Sequence, residues 1–153
     1  MTPELMTALG RAGGIAAVAF AGIGSALGTG AAGAAAIGAW KKCYAQKKAA
    51  PFQLLVYIGA PLTQVIYGMI LMITILGRAA EAETAAGWPA MLMAGIVGGI
   101  AMGASAWMQG RAGAAGSDAL AETGEGFANY LMALGIIETV ALFTMVFIMG
   151  LAF

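Results

Sequence analysis

The sequence predicts an all-α membrane protein of four transmembrane helices, and three observations predict it: composition, the spacing of charges, and an internal repeat. Of 153 residues, 61% are hydrophobic and 9% charged, and the mean hydropathy is +0.90. Soluble domains seldom combine so much apolar surface with so little charge, so lipid is the expected solvent for most of the chain. Formal net charge is zero and histidine is absent. That leaves no basic stripe for nucleic acid and no imidazole for metal or acid–base chemistry.

The charges divide the chain. Uncharged stretches run from Ala12 to Trp40, from Ala49 to Gly77 and from Thr84 to Gly110, and a fourth, Gly126 to Phe153, is interrupted only by Glu138. Each exceeds the roughly 20 residues a helix needs to cross a bilayer core. The expected helices are 10–40, 49–77, 84–115 and 126–153, paired as two tandem hairpins, 1–78 and 79–153. The polar segments KKCYAQKK, RAAEAE and RAGAAGSDALAETGE connect them, giving helix ends access to water.

The N-terminus has no basic region ahead of a short apolar core, so no cleaved signal peptide is expected. Lys41, Lys42, Lys47, Lys48 and Arg111 fall on one side and Arg11 and Arg78 on the other. Basic residues favour the cytoplasm, so loops 41–48 and 111–125 are expected there and both termini outside. Cys43 is the sole cysteine, which rules out a disulfide within the chain.

The repeat emerges when the halves are overlaid. Gly24, Ala26, Gly28 and Gly30 match Gly99, Ala101, Gly103 and Ser105. Gly38 matches Gly113, and after one deletion Gln64 matches Glu138. Two hairpins in succession point the same way, a parallel repeat. Within each hairpin the first helix is thin: of 29 residues from Ala12 to Trp40, 20 are Gly or Ala. Such helices approach closely, so an inner layer of thin helices and an outer layer of bulky, lipid-facing ones are expected. A closed oligomeric ring is the natural way to bury that thin surface. Gly28-Thr29-Gly30-Ala31-Ala32-Gly33 spells a dinucleotide-binding fingerprint, but no strand precedes it and it lies inside an apolar span, so helix packing accounts for it.

Glu138 has eleven uncharged residues before it back to Phe127 and fifteen after it to Phe153, which sets it near mid-bilayer. An ionised carboxylate there costs about 2.5–3.5 kcal/mol on insertion scales, so it must be protonated or hold a cation. Gln64 falls at the matching depth of the second span, where Thr63, Gln64 and Tyr67 share a helical face. Pro61 disturbs the preceding turn and exposes carbonyl oxygens. Gln109, expected nearer the cytoplasmic end because Arg111 follows closely, corresponds by the repeat to Ala34, so the site occurs once per chain. Thr63, Gln64 and Gln109 supply neutral oxygens and Glu138 one negative charge. This set suits a hard monovalent cation, Na+ best; a proton site needs only the acid. Tyr67 can donate its hydroxyl to Glu138.

At these residues the sequence resembles the proteolipid, or K subunit, of bacterial V-type sodium ATPases, the doubled rotor-ring component of rotary ATPases. The resemblance rests on Ala60-Pro61-Leu62-Thr63-Gln64-x-x-Tyr67, on Gln109, on Ile137-Glu138-Thr139 and on the glycine-rich first and third spans. It implies that Thr63, Gln64, Gln109, Glu138 and the Ala60 carbonyl coordinate Na+ while Tyr67 hydrogen-bonds Glu138. It further implies a membrane ring of identical subunits surrounded by lipid. That ring would turn against a stator subunit whose essential arginine displaces the ion, with central-stalk subunits at the cytoplasmic loops. ATP hydrolysis would occur in other subunits. Gln64 would stand where the undoubled form has its own carboxylate, giving one ion per four helices, a ratio suited to pumping. The alternatives are the same rotor carrying H+, a small four-helix secondary transporter, and a ring that transports no ion. Trp40, Trp88 and Trp107, expected toward span ends, provide no aromatic solute pocket for the transporter.

Overall fold

The computed structural model describes residues 1–81 and 85–152. Four of its helical segments are long and apolar enough to cross a membrane, Pro3–Ala45, Leu54–Ala80, Ala85–Thr123 and Phe127–Leu151, and no strand occurs among the described residues. The chain is an all-helical, multi-pass membrane protein.

Helix α1 spans Pro3–Ala45. Thr2 caps it by accepting the Leu5 amide, and Pro3 occupies the first turn, where a missing amide hydrogen costs nothing. The second span is broken. Helix α2, Leu54–Gly59, gives way to a 3₁₀ turn, Ala60–Leu62, before α3, Thr63–Ala80. The break falls at Pro61, which has no amide hydrogen to continue the ladder. A 3₁₀ turn at Ala85–Gly87 leads into α4, Trp88–Thr123, and α5 covers Phe127–Leu151. Gly124 ends α4 at φ +72° and Gly126 opens α5 at φ +86°. Both are left-handed conformations that glycine adopts without a side-chain penalty, so the chain reverses in three residues.

The first and third spans are longer than their uncharged cores. At 43 and 36 residues, α1 and α4 measure about 65 and 54 Å at 1.5 Å per residue, against a hydrocarbon core of roughly 30 Å. Two of the polar segments expected to be connections are therefore largely helical: α1 continues through Lys41-Lys42-Cys43 and α4 through Arg111 to Thr123. Charge marks where a helix leaves lipid, and water does not oblige it to stop there. The expected start of the third helix at 84 and end of the fourth at 153 lie outside the described residues.

Helices α1 and α4 run side by side and parallel, held at backbone distance by glycine. A methyl group on Gly24 would lie 2.0 Å from the Gly103 carbonyl oxygen, one on Gly95 1.8 Å from that of Gly13, and one on Gly110 2.1 Å from that of Gly28. No residue larger than glycine permits such an approach. Helix α3 packs antiparallel on α1, where Gly68 meets Ala17 and Ala21, and α5 packs antiparallel on α4, where Gly98 meets Ile148. The thin pair forms one layer and the bulky helices the other, and the two hairpins point the same way. The outer face of α1 mixes small exposed residues, Ala12, Ala19, Ala26, Gly30, Ala34 and Gly38, with large ones: Ile15, Ile23 and Leu27 stand exposed there, as do Val97, Ile100 and Trp107 of α4. Trp107, expected near a span end, falls in the body of α4 because that helix continues past it.

At the end of the layer where α1 and α4 finish, Lys42 pairs with Glu122 and lies 4.0 Å from Asp118. The Cys43 thiol contacts the Ala121 carbonyl nearby. Both basic loops are thereby gathered at one end of the molecule, as the charge pattern predicts.

Candidate functional site

Pro61 organises the first half of the site. Its missing amide hydrogen shifts the backbone into the 3₁₀ turn, and the Thr63 hydroxyl comes to lie 3.1 Å from the Ala60 carbonyl and 3.2 Å from Gln64 Oε1. One hydroxyl proton faces two acceptors, so it can serve either oxygen or be shared between them. Pro61 is itself buried, and a methyl group on Gly28 of α1 would lie 2.8 Å from its Cβ. The bare backbone of α1 thus makes room for the kink.

The second half comes from α4 and α5. Gln64 Nε2 donates to Gln109 Oε1 at 2.8 Å. Gln109 Nε2 donates to the Leu134 carbonyl at 3.0 Å and to Glu138 Oε2 at 3.2 Å. The Tyr67 hydroxyl completes the set with a 2.7 Å bond to Glu138 Oε1. Gln64 and Gln109 are fully buried, while Thr63, Tyr67 and Glu138 are partly so. No buried side-chain nitrogen or oxygen among the described residues lacks a partner, as a low-dielectric interior requires.

The structure thus brings Ala60, Thr63, Gln64, Tyr67, Gln109 and Glu138 together from three spans of one chain. Gln109 is level with Glu138 rather than displaced toward a helix end. Arg111, the reason for expecting otherwise, lies on an exposed face of α4, which still has twelve residues to run beyond it. Gly110, the neighbour of Gln109, packs on Gly28 of α1.

Two serines beside the site were not singled out by the sequence. Ser25 of α1 accepts the Val65 amide at 3.2 Å, and Ser105 of α4 donates to the Ile137 carbonyl at 2.8 Å. The only trace of them in the sequence is that each interrupts a run of Gly and Ala, Ser105 standing where the first copy has Gly30.

Every hydrogen bond along this path carries its donor toward Glu138: Gln64 to Gln109, Gln109 to Glu138, and Tyr67 to Glu138. Both carboxylate oxygens accept. Across the same short path lie one carboxylate, two amide oxygens, a hydroxyl and a backbone carbonyl, a donor set of hard oxygens.

Residues 92–151, most of α4 and all of α5, match the family model for the C subunit of ATP synthase. The matched segment contains Gln109 and Glu138 and spans the second hairpin alone. No curated protein sequence matched the chain.

Proposed function

We propose that this chain is the rotor-ring proteolipid of a V-type rotary ATPase and carries Na+ across the membrane on Glu138. The observation that carries the reading is the convergence of Thr63, Gln64, Gln109 and Tyr67 on a single carboxylate. A residue that only took up protons would need the acid and an apolar surround, and two fully buried carboxamides would have no part to play. Sodium, as transported substrate, is held by the Glu138 carboxylate, the Gln64 and Gln109 amide oxygens, the Thr63 hydroxyl and the Ala60 carbonyl. Tyr67 keeps the carboxylate turned toward them.

The hydrogen-bond directions suggest how the site accepts its ion. Gln109 is anchored through its amide nitrogen to the Leu134 carbonyl, so its oxygen stays directed at Gln64. A half-turn of the Gln64 carboxamide brings a second oxygen to that point and passes its NH₂ group to the Thr63 hydroxyl, which can then donate to Ala60 alone. Two amide oxygens facing each other repel unless a cation lies between them.

In the assembled machine, identical chains form a ring that turns against a stator whose arginine displaces the ion from each Glu138. Central-stalk proteins meet the end that carries Lys41–Lys48 and Arg111–Glu125, placed in the cytoplasm by its basic residues. One carboxylate per four helices gives few ions per turn and more free energy per ion, which suits ATP-driven pumping. The same rotor coupled to H+ is the second reading.

Carbodiimide labelling of Glu138 in the purified ring, at fixed pH and graded Na+, distinguishes the two. Protection by Na+ is the expected result, and labelling indifferent to Na+ would overturn the sodium reading.

A further inference from the structure

We infer that Ser25 and Ser105 are positioning residues that set the separation of Gln64 from Glu138, and with it the discrimination among monovalent cations. The inference rests on the reading of the site as a Na+ carrier. Each serine belongs to an inner helix and binds the backbone of an outer one immediately beside a site residue: Ser25 at the Val65 amide, next after Gln64, and Ser105 at the Ile137 carbonyl, just before Glu138.

The Pro61 break interrupts the regular ladder ahead of α3: the Thr63 amide turns to the Ala60 carbonyl of the 3₁₀ turn, and α3 has no side-chain cap of its own. Ser25, 3% exposed, supplies one from α1, as an N-cap residue would if it stood in sequence. Removing its hydroxyl leaves the Val65 amide short of that partner in a medium without water and loosens the start of α3, where Gln64 lies.

Ser105 lies one helical turn from Gln109 on the same face of α4. Together they make three hydrogen bonds to a single turn of α5, at the Leu134 carbonyl, the Ile137 carbonyl and the Glu138 carboxylate. Gln109 must also face the ion, so Ser105 is the contact that fixes this turn independently of ion binding. The two inner helices, locked by glycine contacts, then act as a rigid ruler between Gln64 and Glu138. Selectivity by size depends on such fixed spacing, because a cavity that relaxes accepts a larger ion.

The test measures carbodiimide labelling of Glu138 in purified rings at fixed pH, with Li+, Na+ or K+ as protecting ion, for the unaltered protein and for Ser25→Ala, Ser105→Ala, Ser105→Cys and Ser105→Thr. The alanine variants should need about three- to tenfold more Na+ for half-protection, the equivalent of one lost hydrogen bond, and should lose part of their preference for Na+ over K+. Ser105→Thr, which keeps the hydroxyl, should restore both. A role in packing alone would lower ring stability without changing the order of ions. If the unaltered ring is protected by Na+ and the alanine variants match it in half-protection and ion order, the positioning role is overturned. Should an alanine variant fail to assemble, the near-isosteric Ser105→Cys decides by the same measure, and wild-type affinity there overturns the role. Failure of Na+ to protect the unaltered ring would instead overturn the sodium reading on which the inference stands.

Discussion

Tyr67 and Glu138 are 71 positions apart in the chain, yet the phenol hydroxyl and the carboxylate oxygen lie 2.7 Å apart. The bond joins α3 to α5 at the one acidic residue of the fourth span. A hydrogen bond to a charged group contributes about 1.5–3 kcal/mol, which corresponds to roughly ten- to a hundredfold in an equilibrium constant. Tyr67→Phe keeps the ring and its packing and removes only the donor. Half-protection of Glu138 against carbodiimide should therefore require about tenfold more Na+ or more, with assembly unchanged. Equal protection in the variant would show that Tyr67 does not hold the carboxylate.

Glu138→Gln tests the carrier itself. The substituted amide is the same size and can still meet Tyr67 and Gln109, so helix packing should survive. Without a negative charge, the neutral oxygens that remain cannot offset the dehydration of a cation inside a membrane. Sodium uptake into vesicles containing the assembled complex should fall to background while incorporation of the chain into the ring stays normal. Uptake that persists would favour a ring with no ion-carrying role for this residue.

The sequence disclosed the layers and the members of the site more readily than their registration. Thr63, Gln64, Tyr67 and Glu138 stood out because polar groups in apolar spans are expensive, and Pro61 because it cannot continue a helix. Gln109 was recognised as a member but set at the wrong depth, since Arg111 appeared to end the span and α4 in fact continues to Thr123. Which glycines meet is legible only in the packing, where Gly110 lies on Gly28, Gly103 on Gly24 and Gly95 on Gly13: a helix made of small residues offers many registers of similar quality, and only contact between backbones selects one. Ser25 and Ser105 were hidden for a related reason: a serine among glycines and alanines reads as one more small residue until its partner is visible.

The Lys42 contacts with Glu122 and Asp118 join α1 to α4 outside the apolar layer. All three side chains are substantially exposed, at 39% for Lys42, 54% for Glu122 and 69% for Asp118. Pairs this exposed contribute little, and salt screens them. Lys42→Met should shift the thermal transition of the purified ring by no more than a few degrees and leave the Na+ half-protection concentration unchanged. A large loss of stability would mean that this end of the helix pair is held by charge, not by the glycine contacts below it.

The glycine contacts themselves give the most demanding prediction, because two glycines of similar sequence context should behave in opposite ways. A methyl group on Gly110 would fall 2.1 Å from the Gly28 carbonyl oxygen, whereas one on Gly30 meets nothing within 4 Å in the same chain. At Gly110, α1 and α4 must separate by more than an ångström to admit the methyl group. Forced overpacking of this kind costs about 1–3 kcal/mol or more, and the displacement also moves Gln109, the adjacent residue. Gly110→Ala should therefore lower both the stability of the chain and its affinity for Na+. Gly30 lies on a surface that is open in the single chain, so Gly30→Ala should leave the chain's own fold intact. Gly30→Leu places a bulky group on that same exposed surface. If a neighbouring copy covers it, a gel of the detergent-solubilised protein should show the large ring for wild type and smaller species for Gly30→Leu, while circular dichroism reports the same helix content for both. Full ring assembly in Gly30→Leu would place the contact between copies on another face of α1.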